Sequence, residues 1–80
     1  MIRAKRYVDA NVYCRADGKH YPVMIRVDRR DYIVDSVKEV KQVGTYGGKD
    51  VLQYTVRIRG QETVIYESDG RWFVALKREG

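Results

Sequence analysis

Apolar and polar residues alternate along most of this chain, and turn-forming residues interrupt the alternation about every ten residues. Side chains of a β-strand point to opposite faces in turn, so this pattern is typical of half-buried strands. It is clearest in residues 51–59, where one face would carry Leu52, Tyr54, Val56 and Ile58. Several short strands at this spacing predict an all-β fold with antiparallel pairing, in the form of a meander, barrel or sandwich.

The length of 80 residues predicts a single domain over 1–80, with an ordered core over about 6–78. A chain this short buries only about 60% of its unfolded surface, which leaves little room for a deep catalytic cleft. No stretch has the length and apolarity of a membrane span or a signal peptide. Cys14 is the single cysteine, so an internal disulfide is excluded and a reducing compartment, the cytoplasm, is predicted.

The first half of the chain predicts two strands joined at Asp17-Gly18, a hairpin turn signal. The first strand runs over 6–15 and the second over 21–28, with Pro22 marking the start of a strand or a sheet edge. Cys14 is expected to pack as a small hydrophobe on the apolar face of the first strand. The apolar face of the second strand is predicted to hold Tyr21, Val23, Ile25 and Val27.

Residues 32–43 are ambiguous, because Val37, Val40 and Val43 recur every third residue instead of every second. A capping box at residues 36–39 indicates a short helix or 3₁₀ turn near 36–43. The density of β-branched valines favours a long strand with a bulge or bend near Asp35-Ser36, and we predict the strand. Residues 44–50, which contain three glycines, are predicted as a loop.

The last three strands can be aligned through their turns. A turn at Gly60-Gln61 predicts that Arg59 pairs with Glu62, and a turn at Asp69-Gly70 predicts that Tyr66 pairs with Phe73. The whole chain would then form five or six strands in a meander or a small barrel that resembles the Src-homology-3-like class. Its core is predicted to include Val12, Val23, Ile25, Val56, Ile58, Ile65, Trp72 and Val74.

The opposite face of these last strands is not wholly polar, which makes it a candidate binding face. It is either covered by the first strand and the basic N-terminus or partly exposed as an aromatic patch that marks a partner site. The candidate residues are Arg57, Arg59, Val64, Tyr66, Phe73 and Lys77.

Two stretches, KHYPVMIRVDRRDYIVDSVKEV and YTVRIRGQETVIYESDGRWFVALKR, resemble a group of short uncharacterised bacterial proteins of a Firmicutes-like kind. The resemblance covers nearly the whole chain after about residue 6 and is most specific over 54–74. It implies the domain boundaries and a bacterial origin. The group has no assigned activity, so the resemblance implies no mechanism.

No constellation in the sequence predicts catalysis, a metal site or a cofactor. There is one His and one Cys, and His20 is expected near Cys14 across the hairpin without a third residue to orient it. The glycines of 44–50 lack the spacing and the hydroxyl of a phosphate-binding loop. We therefore expect a non-enzymatic binding or interaction module, with a protein partner or self-association slightly favoured and no membrane contact.

Single-stranded nucleic-acid binding is the alternative function. Residues 1–30 hold eight Lys or Arg against three Asp, an excess equal to the whole net charge of +5. Small barrels bind single strands by stacking bases on aromatic rings while cations hold the phosphates. The candidates are Tyr7, Tyr13, Tyr66 and Phe73 for stacking, and Arg15, Arg26, Arg57 and Arg59 for phosphate.

Overall fold

The computed structural model describes residues 5–75, which form seven β-strands and no helix. The all-β prediction is confirmed, with one strand more than expected because the predicted strand over 32–43 is divided at Val34-Asp35. The strands are β1 (Lys5–Cys14), β2 (His20–Val27), β3 (Arg30–Ile33), β4 (Ser36–Tyr46), β5 (Lys49–Ile58), β6 (Gln61–Ser68) and β7 (Arg71–Ala75). Residues 76–78 of the predicted ordered core lie outside the described residues.

All seven strands belong to one antiparallel sheet in the order β3-β2-β1-β7-β6-β5-β4. Consecutive strands β3 and β4 therefore lie at opposite edges, yet only Val34 and Asp35 connect them. The Val34 N–H donates to the Val23 carbonyl (3.0 Å), and the Asp35 N–H donates to the Arg57 carbonyl (2.8 Å). Since two residues span only about 7 Å, the sheet must curl until its edges approach each other, and it forms a half-barrel.

The irregular valine spacing of β4 results from two β-bulges, and the helix interpretation is wrong. The pairing of β4 with β5 shifts between Val37 and Glu39 and again between Gln42 and Gly44. Each bulge adds one unpaired residue, so Val37 and Val40 face the same side of the sheet although they are three positions apart in the sequence. The predicted loop over 44–50 is also wrong, because β4 continues to Tyr46 and β5 begins at Lys49.

The two predicted hairpin turns had different outcomes. The turn at Asp69-Gly70 and the pairing of Tyr66 with Phe73 are confirmed. The turn predicted at Gly60-Gln61 lies one residue earlier, at Arg59-Gly60, so Arg57 and not Arg59 pairs with Glu62. Arg59 and Gly60 both have positive φ, as the turn matching the right-handed twist of a hairpin requires. Moving the turn by one residue shifts the cross-strand partner of each β6 residue by two positions along β5. Because side chains alternate with a period of two, the residues on each face of the sheet stay the same.

The core lies on the concave side of the curled sheet, which we call the inner face, and its opposite is the outer face. The predicted core residues Ile25, Val56, Ile58, Ile65 and Trp72 are buried, and Val12 and Val74 pack against them in part. Tyr54, which was predicted on the same face as Val56 and Ile58 but was not named in the core, is also buried in this cluster. Val51 and Phe73 are buried outside the cluster, and their burial was not predicted.

Val23 was wrongly predicted in the core, since its side chain is 45% exposed. The pairing of β1 with β2 shifts so that Val12 lies opposite Pro22 and Asn11 opposite Met24, which leaves Val23 as the extra residue of a bulge. A bulge turns side chains away from the simple alternation. Pro22 has no N–H to donate to a regular ladder, so it favours an irregularity at this position.

Truncation of two valines tests this correction. Val56→Ala, at a residue with 0% exposure, is expected to lower the free energy of unfolding by about 2 kcal/mol or more, because two buried carbon groups are lost and a cavity remains. Val23→Ala is expected to change it by less than about 0.5 kcal/mol. Urea unfolding, monitored by tryptophan fluorescence, measures both values. Equal losses of stability would mean that Val23 is buried like Val56, which would contradict the bulge.

Candidate functional site

The outer face brings together four of the six predicted site residues, Arg57, Val64, Tyr66 and Phe73. The Tyr66 and Phe73 rings are stacked with centroids 5.3 Å apart. Tyr7 of β1 is paired with Phe73 and contacts it edge-on at 5.7 Å. Strand β1 thus extends the sheet beside β7, and the Tyr7 side chain covers part of the patch. Phe73 is only 1% exposed, so its ring has no free face on which a base could stack.

The other two predicted site residues are not placed on this face. Arg59 lies in the β5–β6 turn, and its guanidinium carbon is 4.9 Å from the centroid of the Tyr32 ring. Tyr32 packs against the core of the inner face, so Arg59 reaches toward the inner side. Lys77 lies outside the described residues.

The cations predicted to hold phosphates are largely engaged within the domain. Arg15 is 3.7 Å from Asp17, Arg26 is 3.2 Å from Asp31, and Arg57 donates to the Gly60 carbonyl at 3.1 Å. Tyr7 and Tyr13 are exposed, but they lie six residues apart on β1, which separates them by about 20 Å. The predicted nucleic-acid residues therefore do not form one continuous platform.

A groove between β2 and β4 was not predicted from the sequence. Strand β3 pairs only with Met24–Val27, so the start of β2 keeps an unpaired outer edge. Strand β4 pairs with β5 alone among the described strands, and the curl of the sheet brings its free edge near β2. We call the resulting space, of about 490 Å³, the β2–β4 groove, and it is lined by Gly18, Lys19, His20, Tyr21, Val40, Leu52, Tyr54 and Glu67.

Tyr54 links the two sides of this groove. Its hydroxyl group donates a 2.8 Å hydrogen bond to the carbonyl of His20, and its ring centroid is 4.9 Å from that of Trp72. Burial raises the pKa of Tyr54 from 10.0 to about 12, with further contributions from the carboxylate of Glu67 and from Tyr21. The phenol therefore keeps its proton, and can donate this hydrogen bond, to a higher pH than an exposed tyrosine.

Glu67 supplies a carboxylate to the same groove. It lies on the inner face, paired with Leu52 of β5 and Trp72 of β7. Its Oε2 atom accepts a 2.8 Å hydrogen bond from the Gly70 N–H, which fixes the side chain over the β6–β7 turn. Among residues 5–75, no Lys or Arg forms an ion pair with Glu67.

The structure brings Cys14 and His20 together, because they are cross-strand partners at the end of the β1–β2 hairpin. Both are exposed, so the prediction that Cys14 packs as a core hydrophobe is wrong. The reason is that β7 pairs with β1 only as far as Val8, so Cys14 has a paired strand on one side only. No group of three or more His, Cys, Asp or Glu that could hold a metal is found within residues 5–75.

The fold and the groove define a small all-β domain with an open, curled sheet. No protein-family model matches the chain, and neither does any curated protein or any solved structure. The resemblance to short bacterial proteins therefore stays a prediction. No helix among residues 5–75 is long and apolar enough to span a membrane.

Proposed function

We propose that this domain is a non-enzymatic, cytosolic interaction module that binds an extended segment of a protein partner in the β2–β4 groove. The observation that carries the proposal is an open groove with apolar walls, among them Val40 and Leu52, beside the unpaired edge of β4. An extended segment can add to such an edge through backbone hydrogen bonds while its side chains enter the groove.

The bulges of β4 limit how much of its edge can pair. The longest regularly paired stretch covers residues 39–42, between the two irregular positions. Val40 lies in this stretch, 39% exposed, and lines the groove. Bulges and lysines on an edge strand oppose open-ended strand addition, and β4 carries Lys38 and Lys41. The partner segment is therefore expected to be short, and the complex to be reversible.

The charge of the groove supports a protein ligand over a nucleic acid. Its lining contains one lysine, Lys19, and one carboxylate, Glu67. Affinity for nucleic acid comes mainly from several cations that neutralise phosphates. A lining that balances one positive and one negative charge offers little of this attraction.

Single-stranded nucleic-acid binding on the outer face is the second candidate, and one observation favours it. Tyr7 is 51% exposed, and the guanidinium carbon of Arg71 lies 5.6 Å from its ring centroid. An exposed ring beside a cation is the unit that stacks a base and holds its phosphate. Titration with a mixed-sequence oligonucleotide should then shift the amides of Tyr7 and Arg71, with an affinity that falls steeply as salt rises.

Selection from a phage-displayed library of random ten-residue peptides tests the proposed function. Enriched peptides are expected to bind the isolated domain, and Val40→Asn is expected to weaken that binding at least about 10-fold, because a polar amide replaces an apolar wall of the groove without adding a charge. Val43→Asn is the matched control, since Val43 is on the same strand, is 45% exposed and does not line the groove. Affinity is measured by calorimetry.

Two results would contradict the proposal. The first is a library that yields no binding peptide. The second is a set of peptides whose affinity falls equally in both valine variants. Light scattering of the free domain over a range of concentrations shows whether the occupant is a second copy, because self-association would raise the average mass with concentration.

A further inference from the structure

We infer that the segment bound in the β2–β4 groove presents the cationic side chain of a lysine or arginine to Glu67. This inference rests on the proposed function and specifies the chemistry of its ligand. Two features of the groove support it: the carboxylate and the apolar walls beside it.

The carboxylate of Glu67 is held in place by one oxygen and can accept a hydrogen bond from a ligand with the other. Its Oε2 atom is fixed by the Gly70 N–H at 2.8 Å, while Oε1 has no hydrogen-bond donor among residues 5–75. The side chain is half-buried on the inner face between Leu52 and Trp72. A half-buried carboxylate gains more from a charged partner than an exposed one, because water screens the attraction less.

The surroundings of Glu67 suit a long cationic side chain. Val40 and Leu52 can contact the aliphatic stem of a lysine or arginine, whose charged end stays near polar groups. The aromatic rings of the lining add little to this, because Tyr54 is only 3% exposed and the guanidinium carbon of Arg15 already lies 6.0 Å from the centroid of the Tyr21 ring.

Lys19 also lines the groove, but it only weakly opposes the binding of a cationic side chain at Glu67. It is exposed in the β1–β2 turn, where its own N–H donates to Asp17 at 3.0 Å. Water and salt screen the charge of an exposed side chain. Arg15, whose guanidinium carbon lies 6.0 Å from the centroid of the Tyr21 ring, is also exposed and is paired with Asp17. An acidic ligand residue would therefore gain only the screened attraction of Lys19 and Arg15 and would meet repulsion from the less screened Glu67.

The test is a double-mutant cycle on a peptide obtained from the random library. The aligned peptides from the wild-type domain are expected to share a lysine or arginine at one position. Replacing that residue by a neutral analogue of similar shape (norleucine for lysine, citrulline for arginine) should weaken binding by about 10- to 100-fold. With the Glu67→Gln domain, the same replacement should change the affinity by less than about 3-fold, because no carboxylate remains to attract the cation.

Glu62→Gln is the control domain. It removes one negative charge from the same strand, but Glu62 is exposed and lies on the outer face opposite Arg57. The full effect of the neutral analogue should persist in this control. Glu67→Gln keeps an amide oxygen that can accept from the Gly70 N–H, and its amide spectrum shows whether the fold is unchanged.

The outcomes separate the inference from the proposed function. Peptides without a shared cation, or with an equal loss in wild-type and Glu67→Gln domains, would overturn the inference while the Val40→Asn loss still supported the groove. A library without any binding peptide would overturn the proposed function, and the inference with it.

Discussion

Replacing Ile65 by alanine is expected to lower the free energy of unfolding by about 2–5 kcal/mol. Ile65 is 1% exposed on β6, at the centre of the inner face, and belongs to the core cluster with Tyr54, Val56 and Trp72. The loss is large because the removed carbon groups leave a cavity that a curled sheet cannot collapse to fill. For a domain whose total stability is of the order of 5–15 kcal/mol, this loss is a large fraction of the whole.

Ile33→Ala is the matched control for this prediction. Ile33 is 61% exposed on the edge strand β3, so the same truncation should cost less than about 0.5 kcal/mol. Urea midpoints from fluorescence and from circular dichroism measure both variants. Similar losses at Ile65 and Ile33 would mean that the inner face is not the core.

The stability of the domain is expected to fall by about 2 kcal/mol between pH 10 and pH 12 through Tyr54 alone. The pKa of Tyr54 is raised from 10.0 to about 12 in the folded domain, first by burial and then by Glu67. The unfolded chain releases the phenolic proton near pH 10, whereas the folded domain retains it until about pH 12. The folded state therefore binds more protons in this window, so its stability is full below pH 10 and declines as the pH rises.

Tyr54→Phe isolates this contribution from other groups that titrate above pH 10. The variant loses the hydrogen bond to the His20 carbonyl, so it should be less stable than the wild type at pH 8 by about 1–2 kcal/mol. Its additional loss between pH 10 and pH 11.5 should be smaller than that of the wild type. Parallel curves for the two proteins would show that Tyr54 ionises with an ordinary pKa.

The sequence predicted the strands well where the alternation is regular. Residues 51–58 and 71–75 follow the two-residue period, and their faces were assigned correctly. Positions with an extra residue could not be assigned in this way, because each bulge reverses the faces of everything beyond it. Val23 was misplaced for this reason, and the valines of β4 resembled a helix.

The turn at Arg59-Gly60 shows a second limit. A glycine can occupy either central position of a two-residue hairpin turn, so Gly60 alone did not decide the register. The structure places it second, after Arg59 with φ of 53°. The face assignments remained correct because the error moved each partner by two residues.

The β2–β4 groove could not be predicted from local patterns. Its two sides, near His20 and Val40, belong to strands at separate places in the sheet, and only the curl forced by the short Val34-Asp35 connection brings them together. Glu67 gave no signal in the sequence beyond its place on the inner face. The sequence did indicate the aromatic residues of the outer face, but it did not show that Phe73 is buried by its neighbours while Tyr7 stays 51% exposed.

Amide hydrogen exchange on the domain, free and bound to a peptide from the random library, tests the central claim most directly. If the peptide lies along β4 in the β2–β4 groove, exchange should slow at least about 10-fold at outward-facing amides within residues 39–42. The amides of Tyr7 and Arg71 on the outer face should keep their rates. Slowing confined to the outer face, with residues 39–42 unchanged, would contradict the claim and place the binding site elsewhere.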